Sequence, residues 1–220
     1  MKKSIFFATL LMTLVWFSGC IKEVEDNAAP YIILTGANPT YVRLNTPFRD
    51  SGILVTDNYG VMKVWNDTTG LNIHEAGRYS VKYFAEDFNG NISQVDRKVV
   101  VRIEGQNLSG KWTGSRISPY PGGPAEDFSD SLVNPATRRI YFTQIGGLMP
   151  SSIKGDLLGT LGDTIVINKQ ILSFNDTATF YFLGAGTIAH DGKSFSILYQ
   201  LITESQGNAD TAIGQIIYQK

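Results

Sequence analysis

The sequence predicts an all-β protein made of a β-sandwich followed by a small antiparallel β-barrel or a second sandwich. Short runs of β-branched and aromatic residues recur from residue 30 to the end of the chain, and clusters of Gly, Asn, Asp and Pro separate them. A hydrophobic content of 43% and a charged content of 18% are typical of a folded globular protein. The 220 residues are enough for two small domains.

The N-terminus has the features of an export signal over residues 1–19. Two lysines precede an apolar run from Ile5 to Phe17, which is too short for a permanent membrane span and is followed by small residues. The sequence Phe17-Ser18-Gly19-Cys20 resembles the lipobox of bacterial lipoproteins, in which the signal is removed before the cysteine and the thiol is lipidated. The resemblance implies a mature protein that begins at Cys20 and is anchored in a membrane by acyl chains. An ordinary secretory signal with a chance cysteine is the alternative.

Residues 20–29 predict a flexible tether. The segment is polar, has neither a helical nor a strand period, and ends at Pro30. Its lysine followed by acidic residues resembles the signal that directs lipoproteins of Bacteroidetes-type bacteria to the outer face of the outer membrane. The resemblance implies a surface-exposed outer-membrane lipoprotein, and a solvated linker with average charges is the alternative.

Residues 30–104 predict a β-sandwich of short strands. In the segment Arg78–Ala85 the apolar side chains of Tyr79, Val81 and Tyr83 alternate with polar ones, which predicts one buried face and one solvated face. Asn89-Gly90 is suited to the positive φ angles of a tight hairpin turn. The other predicted strands are Tyr31–Thr35, Tyr41–Leu44, Gly52–Thr56, Val61–Trp65 and Val95–Ile103.

Four segments of this domain resemble a family of bacterial immunoglobulin-like modules. They are Ala29–Gly36, Asp57-Asn58, Gly77–Tyr83 and Ala85–Asn91, and their order is that of the modules called domain of unknown function 5011, which are related to HYR-type repeats. The resemblance implies an Ig-like sandwich that acts as a spacer or an adhesive unit on an extracellular protein. It implies no enzymatic activity for this domain.

Residues 107–220 predict a second antiparallel β domain. It opens with Gly110-Lys111-Trp112, which resembles the Gly-x-Trp of lipocalin-like barrels, where the tryptophan closes one end. Residues 119–137 are rich in Pro, Gly and Asp and predict a long loop, and Asp191-Gly192 predicts a hairpin. The strands predicted after the loop are Arg138–Gln144, Ser152–Leu158, Thr164–Asn168, Ala178–Leu183, Gly186–Ala189, Ser194–Leu201 and Thr211–Tyr218. This tandem of domains resembles uncharacterised surface lipoproteins of gut Bacteroidetes, some of which are encoded near glycan-uptake systems.

The charge and the reactive side chains exclude several functions. A net charge of −1 leaves no electrostatic footprint for binding nucleic acid. The single cysteine, once acylated, excludes disulfides, thiol catalysis and cysteine-ligated metals. His74 and His190 each precede a predicted turn, and the acidic residues Glu126, Asp127 and Asp130 fall in the predicted long loop, where a solvated role is favoured. We therefore predict that the protein is not an enzyme.

Two predicted turns carry the residues of a candidate calcium site. Asp57, Asp87, Asn89 and Asn91 offer the hard oxygen ligands that Ca²⁺ prefers, and in a sandwich the two turns could meet at one end. Asp and Asn are also the preferred residues of turns, and that structural role is the favoured interpretation. The sequence therefore predicts no cofactor, with Ca²⁺ as the one candidate.

Three aromatic residues are candidates for ligand binding. Tyr120 lies between two prolines in the predicted long loop, and Tyr59 and Trp65 lie near the two ends of a predicted strand. Planar side chains pack well against the apolar faces of sugars, so these residues predict stacking platforms for carbohydrate. Core packing is the alternative, and it is favoured for Trp65 and Trp112.

These observations predict a lipid-anchored, non-enzymatic protein of the cell envelope, whose Ig-like domain presents a C-terminal domain that binds polysaccharide. One alternative is a lipocalin-like carrier of a small apolar molecule, which an apolar cavity would favour and a filled interior would count against. The other is a structural subunit that contacts a protein partner, such as an outer-membrane uptake complex, through exposed strand edges.

Overall fold

A computed structural model describes residues 26–117, 125–148 and 152–220. It confirms the all-β fold, with an N-terminal Ig-like sandwich followed by a closed antiparallel barrel. The strands of the sandwich are β1 (Tyr31–Leu34), β2 (Thr40–Arg43), β3 (Ile53–Thr56), β4 (Val61–Asp67), β5 (Gly77–Asp87) and β6 (Ile92–Arg102). Those of the barrel are β7 (Gly110–Ile117), β8 (Ala125–Ala136), β9 (Arg139–Phe142), β10 (Ile153–Leu158), β11 (Thr164–Phe174), β12 (Thr179–Ile188), β13 (Ser194–Ser205) and β14 (Asn208–Gln219). A short helix, α1 (Gly105–Leu108), joins the two domains.

The N-terminal sandwich consists of two sheets of unequal size. The antiparallel pair β1–β3 packs against a four-stranded sheet with the order β2-β6-β5-β4, in which β2 runs parallel to β6. In β5 the side chains of Val81, Tyr83 and Ala85 are buried, whereas Arg78 and Lys82 are exposed. The alternation seen in the sequence is therefore the alternation between the core face and the solvent face.

A buried arginine joins the two sheets of the sandwich. Arg97 on β6 is 0% exposed, and its guanidinium donates hydrogen bonds of 2.7–3.0 Å to the main-chain oxygens of Thr35, Ala37 and Gly52. The carboxylate of Asp50 lies 3.3 Å from the Arg97 Nε. Because the planar guanidinium has five donors in a fixed fork, this one side chain satisfies three carbonyls beyond the ends of β1 and β3.

The barrel has two ends with different surroundings. Its strand order is β10-β11-β12-β13-β14-β7-β8-β9, and neighbouring strands are antiparallel. The connections β8–β9, β10–β11 and β12–β13 lie at the end that meets the Ig-like domain, which we call the junction end. At the end of the barrel opposite the junction, which we call the free end, strands β7, β9, β11 and β13 end and lead into the other connections.

Aromatic side chains fill the middle of the barrel. Trp112, Phe142, Phe195 and Tyr218 are each at most 3% exposed, and neighbouring ring centroids lie 4.4–6.4 Å apart. The indole Nε1 of Trp112 donates a 2.6 Å hydrogen bond to the main-chain oxygen of Leu108 in α1. The tryptophan of the Gly-x-Trp sequence therefore packs in the core and ties α1 to the barrel.

The prediction of a long loop over residues 119–137 is wrong for most of that segment. Residues Ala125–Ala136 form β8, which pairs with β7 and β9. The side chains of Phe128, Asp130 and Leu132 point inward, so a carboxylate interrupts the apolar period that marks a strand. Pro135 lies where the pairing of β8 with β9 is irregular, a position at which a strand tolerates a missing N–H.

The two domains share a continuous core at the junction. The Ile103 N–H donates to the Leu161 main-chain oxygen over 2.7 Å, and the Ala76 N–H donates to the His190 main-chain oxygen over 2.8 Å. Buried apolar side chains of both domains belong to one packed cluster. Hydrogen bonds and packing together fix the barrel relative to the sandwich.

The N-terminal segment and the barrel lie at opposite poles of the Ig-like domain. Strand β5 begins at Gly77, beside the junction, and its 11 residues end at Asp87, a span of about 33 Å. At the Asp87 pole, the side-chain amide of Asn91 donates a 2.9 Å hydrogen bond to the main-chain oxygen of Asp26. The chain therefore enters the domain at one pole and continues into the barrel at the other.

Gly162→Ala tests how tightly the junction is packed. Gly162 has a φ of +70°, and a Cβ built there would lie 2.1 Å from the main-chain oxygen of Ile103. We expect a loss of roughly 1–2 kcal/mol from the left-handed backbone and a further loss from the displaced junction, both measured by urea unfolding. Gly207→Ala is the matched control, because Gly207 has a φ of +81° and no atom within 4 Å of the built Cβ. Equal losses in the two variants would contradict a tight junction.

Candidate functional site

The predicted site residues are divided between the two domains. Cys20 and Tyr120 lie outside the described residues. Tyr59 and Trp65 belong to the Ig-like domain, where Tyr59 precedes β4 and Trp65 lies near the end of that strand. The strands that bound Tyr120, β7 and β8, belong to the barrel. The two described aromatic candidates are therefore separated by the junction from the domain predicted to bind the ligand.

Trp65 lies half-buried on the outer face of the four-stranded sheet and not in the core. Its partner on β5 is Phe84, whose ring stacks on the indole with centroids 5.2 Å apart and planes 10° apart. The ammonium of Lys63 lies over the indole, 4.7 Å from its centroid. Both contacts use the faces of the ring, so a sugar would compete with them for the indole.

A polar groove of about 640 Å³ crosses the outer face of the barrel on β14, β7 and β8. Outward side chains of paired residues line it, with Thr113 beside Ser129 and Ser115 beside Asp127. Gln219 on β14 completes its polar lining. Hydroxyl and amide groups can both donate and accept hydrogen bonds, and the carboxylate accepts them. The groove therefore suits a ligand with many polar groups.

The groove lies close to the described ends of β7 and β8, at Ile117 and Ala125. Ser115 and Asp127 are each two residues from these ends. A second groove of about 430 Å³ shares part of this lining and extends it toward Lys111 and Gln144. Sequence reasoning missed the groove because it depends on the pairing of β7 with β8, and β8 was predicted as loop.

A buried carboxylate organises the interior beneath this face. Asp130 is 4% exposed, and its Oδ1 accepts hydrogen bonds from the Gln144 N–H and the Thr143 hydroxyl. Its Oδ2 accepts a 2.9 Å hydrogen bond from the Tyr218 hydroxyl, whose oxygen in turn accepts one from the Gly146 N–H. Burial, together with the neighbouring carboxylate, raises the pKa of Tyr218 well above its ordinary value. This network fixes the turn after β9 to the barrel, so Asp130 is not the solvated loop residue that the sequence predicts.

Three aspartates meet at the pole of the Ig-like domain opposite the junction. Asp57 follows β3, Asp87 ends β5 and Asp26 precedes β1, and each offers a carboxylate oxygen within 4.8 Å of the other two. Asp87 is 0% exposed and Asp26 is 7% exposed. The structure thus brings the candidates Asp57 and Asp87 together and adds Asp26. The tether predicted over residues 20–29 is packed against the domain at that residue.

In Asp26 and Asp57, one carboxylate oxygen accepts hydrogen bonds and the other accepts none from the described residues. The Asp57 Oδ1 accepts 2.8 Å hydrogen bonds from the N–H groups of Tyr59 and Gly60. The Asp26 Oδ1 accepts a 3.2 Å hydrogen bond from the side-chain amide of Asn58. The Oδ2 atoms of both aspartates are buried without a hydrogen-bond partner among the described residues. Buried acceptors without donors are unfavourable, so the cluster is incomplete as a set of protein groups.

Asn89 and Asn91 orient Asp87 in the structure. The Asp87 Oδ1 accepts from the N–H groups of both residues, and its Oδ2 accepts from the Asn91 side-chain amide, each over 2.8 Å. Burial opposes ionisation, but the hydrogen bonds from Asn91 and Asn89 outweigh it and lower the pKa of Asp87 below its ordinary value. The two asparagines therefore act as donors to a carboxylate, in place of the oxygen ligands that the sequence predicts.

Comparison with known proteins relates the N-terminal domain to a family. Residues 32–101 match the family described as bacterial surface protein, Ig-like domain. The chain carries a surface Ig-like domain. This match indicates a protein of the cell surface. A search of curated proteins found no match to the chain. In the described part of the chain, no helix has the length and hydrophobicity that crossing a bilayer requires.

Two solved structures resemble the chain weakly. A lipoprotein from Bacteroides thetaiotaomicron aligns with a TM-score of 0.34 at 15% identity, covering 87% of this chain and 100% of that one. A protein of unknown function from the DUF3598 family of Nostoc punctiforme aligns with a TM-score of 0.32 at 13% identity, covering 77% of this chain and 79% of that one. At these TM-scores the likeness carries no argument about function.

Tyr218→Phe tests the buried network of the barrel. The substitution removes the donor to the Asp130 Oδ2, and we expect a loss of about 1–3 kcal/mol at neutral pH. Because folding raises the pKa of Tyr218, stability is fully present below the ordinary tyrosine pKa of 10.0 and falls as the pH rises above it. Urea unfolding from neutral to alkaline pH measures both effects, with Tyr59→Phe, at a residue 51% exposed, as the control. The alkaline loss should be smaller in Tyr218→Phe, and an identical slope would show that the Tyr218 hydroxyl does not contribute to it.

Proposed function

We propose that the protein is a lipid-anchored outer-membrane protein of the cell surface whose barrel captures polysaccharide. The match of residues 32–101 to a bacterial surface Ig-like domain supports the surface location. The lipobox-like sequence that ends at Cys20 supports the acyl anchor. The polar groove on β14, β7 and β8 is the observation that carries the binding function. In this proposal the Ig-like domain is a module of the domain of unknown function 5011 and acts as a spacer.

The Ig-like domain acts as a rigid spacer because its two poles have different attachments. The N-terminal segment enters at the Asp26 pole, and the barrel is fixed at the junction by hydrogen bonds and a shared core. Strand β5 spans about 33 Å of the sandwich, so the barrel is attached about that far from the Asp26 pole. This distance keeps the free end clear of the membrane that holds Cys20.

The groove has the chemistry that a polysaccharide requires. Its hydroxyl, amide and carboxylate groups match the hydroxyls of sugars, which both donate and accept hydrogen bonds. Ile217 adds apolar surface for the C–H face of a sugar ring. A groove on an outer face, unlike an enclosed cavity, admits a polymer that continues beyond the contacts. Tyr120, which lies between β7 and β8 in the sequence, is the proposed stacking platform.

We propose capture without catalysis. Hydrolysis of a glycosidic bond uses two carboxylic side chains that flank the bond. Among the described residues that line the 640 Å³ groove, Asp127 is the single carboxylic side chain. His190 lies 3.5 Å from Asp163 in the barrel connections at the junction, away from this groove.

The filled interior of the barrel counts against a carrier of a small apolar molecule. The rings of Phe182 and Tyr199 stack with centroids 5.1 Å apart, and the four-ring cluster around Tyr218 occupies the space beside them. A carried ligand would have to displace side chains that are already packed at interior density.

A protein partner is the second candidate, and one apolar groove favours it. Leu198 on β13 is 63% exposed and Ile213 on β14 is 62% exposed. Together with Leu183 and Val166 they line a groove of about 520 Å³ on the outer face of the barrel. Exposed apolar side chains that share one groove are typical of an interaction surface.

Binding to soluble polysaccharides tests the groove. We expect affinity for one class among starch, xylan, pectin and mucin glycans in isothermal titration with the chain that lacks its lipid. Thr113→Val and Asp127→Asn each remove a polar contact with little change in shape, and we expect each to weaken binding about tenfold. Thr187→Val, on the outer face of β12, is the matched control.

The outcomes of this titration separate the candidate surfaces. Binding that is insensitive to Thr113→Val and Asp127→Asn, but lost in Trp65→Ala, would move the site to the Ig-like domain. Absence of binding to every polysaccharide, with a specific envelope protein recovered on the intact chain, would replace glycan capture by the protein-partner function.

Cys20→Ser tests the anchor. Acylation requires the thiol, so we expect the variant to lose metabolic labelling with radioactive palmitate and to leave the membrane fraction. Cell-surface antibody labelling of the unaltered protein should be positive on intact cells. Unchanged membrane association of the variant would contradict a lipid anchor at this residue.

A further inference from the structure

We propose that Asp26, Asp57 and Asp87 bind a calcium ion that fastens the N-terminal segment to the Ig-like domain. The three residues come from the segment before β1, the β3–β4 turn and the end of β5. Each offers a carboxylate oxygen within 4.8 Å of the other two. One cation between them links three parts of the chain that are distant in sequence.

The charge of the cluster favours a cation. Carboxylates at this spacing repel one another, and the repulsion is stronger away from bulk water because the effective dielectric constant is lower. Asp26 and Asp87 are both more than nine-tenths buried. Among the described residues, no salt bridge involves any of the three aspartates. A bound cation compensates the negative charge of the three carboxylates, which no described basic side chain pairs with.

The unpartnered oxygens are a second, independent sign of a ligand. The Oδ2 atoms of Asp26 and Asp57 are buried and lack a hydrogen-bond partner within the described chain. The opposite oxygen of each carboxylate is held, on Asp57 by turn N–H groups and on Asp26 by the amide of Asn58. Each carboxylate is thus fixed through one oxygen and free to bind metal through the other.

The donor set selects a hard cation and favours calcium. Its three side chains are all carboxylates. Ca²⁺ takes six to eight oxygen ligands in flexible geometry, whereas Mg²⁺ demands a near-ideal octahedron. Three carboxylates from separate segments, completed by water, fit the less demanding ion. Extracellular modules bind calcium with a Kd of about 10⁻⁴ to 10⁻³ M, and we expect a value in this range.

Calcium binding strengthens the attachment of the N-terminal segment to the domain. Asp26 lies six residues after Cys20, the residue that the proposed function places in the membrane, and the cation adds three carboxylate contacts to the hydrogen bond between Asn91 and the Asp26 main chain. On the basis of that proposed function, the cation fixes the point at which the domain meets its anchor.

Thermal unfolding with and without calcium tests the site. The chain from residue 20 onward, with Cys20→Ser to prevent acylation, is treated with chelator and titrated with calcium chloride. We expect the Tm to rise and saturate, and Asp26→Asn and Asp57→Asn to raise the Kd at least about tenfold, because each removes a ligand charge. Asn keeps the Oδ1 acceptor, so the turn hydrogen bonds survive. Asp96→Asn, at an exposed carboxylate on β6, is the matched control.

Two further readouts separate metal binding from a purely structural role. In chelator, Asp26→Asn and Asp57→Asn should raise the Tm, because each removes one of three mutually repelling charges, whereas replacing a structural carboxylate would lower it. Calcium should slow cleavage by Glu-C protease after Glu25. A Tm that does not respond to calcium, or that responds equally in Asp57→Asn, overturns the site. An equal response to magnesium overturns the choice of calcium, and an unchanged cleavage rate overturns the fastening of the segment.

Discussion

The hydrogen-bonded main chain between the two domains sets the geometry on which the rest of the molecule depends. Ile103 donates to the Leu161 oxygen and Gly105 donates to the Thr137 oxygen, so the connecting segment is held by the barrel connections on either side. Gly162 allows this close approach because a side chain at that position would collide with the Ile103 oxygen. With the junction fixed, the direction in which the groove faces is a property of the fold.

Local patterns in the sequence predicted the local parts of the structure. The alternation around Tyr83 and the Asp191-Gly192 turn depend on neighbouring residues, and both correspond to observed strands and hairpins. The same patterns gave wrong predictions where polar groups are buried. Strand β8 was not predicted because Asp130, a charged residue that is normally exposed, occupies one of its inward positions. The role of Arg97 in joining the two sheets was not predicted because its hydrogen-bond partners are distant in sequence. Gly184 and Ala185 separated two predicted strands, yet β12 continues through them, and a Cβ at Gly184 would lie 2.7 Å from the Leu198 main-chain oxygen.

The candidate sites show the same division between local and long-range information. Asp57 and Asp87 could be selected from the sequence because each is a turn residue with an oxygen ligand. Asp26 could not, since it lies in a polar segment and reaches the cluster only through the path that the chain takes into β1. The groove could not be predicted from the sequence for a related reason. It exists only when Ser115 and Asp127 become register partners, and register is a property of paired strands and not of either strand alone.

The opposite placement of the N-terminal segment and the barrel has a mechanical consequence. The strands of the sandwich run from the Asp26 pole toward the junction, so a pull on the N-terminal segment, opposed by a load on the barrel, acts along the strand axes. In the antiparallel pair β1–β3 the hydrogen bonds lie across the strands, and such a force loads them in shear, all at the same time. The guanidinium of Arg97, which binds carbonyls just beyond the ends of both strands, resists the same sliding motion. The first strand is thus attached in an orientation that resists tension along the strand axes.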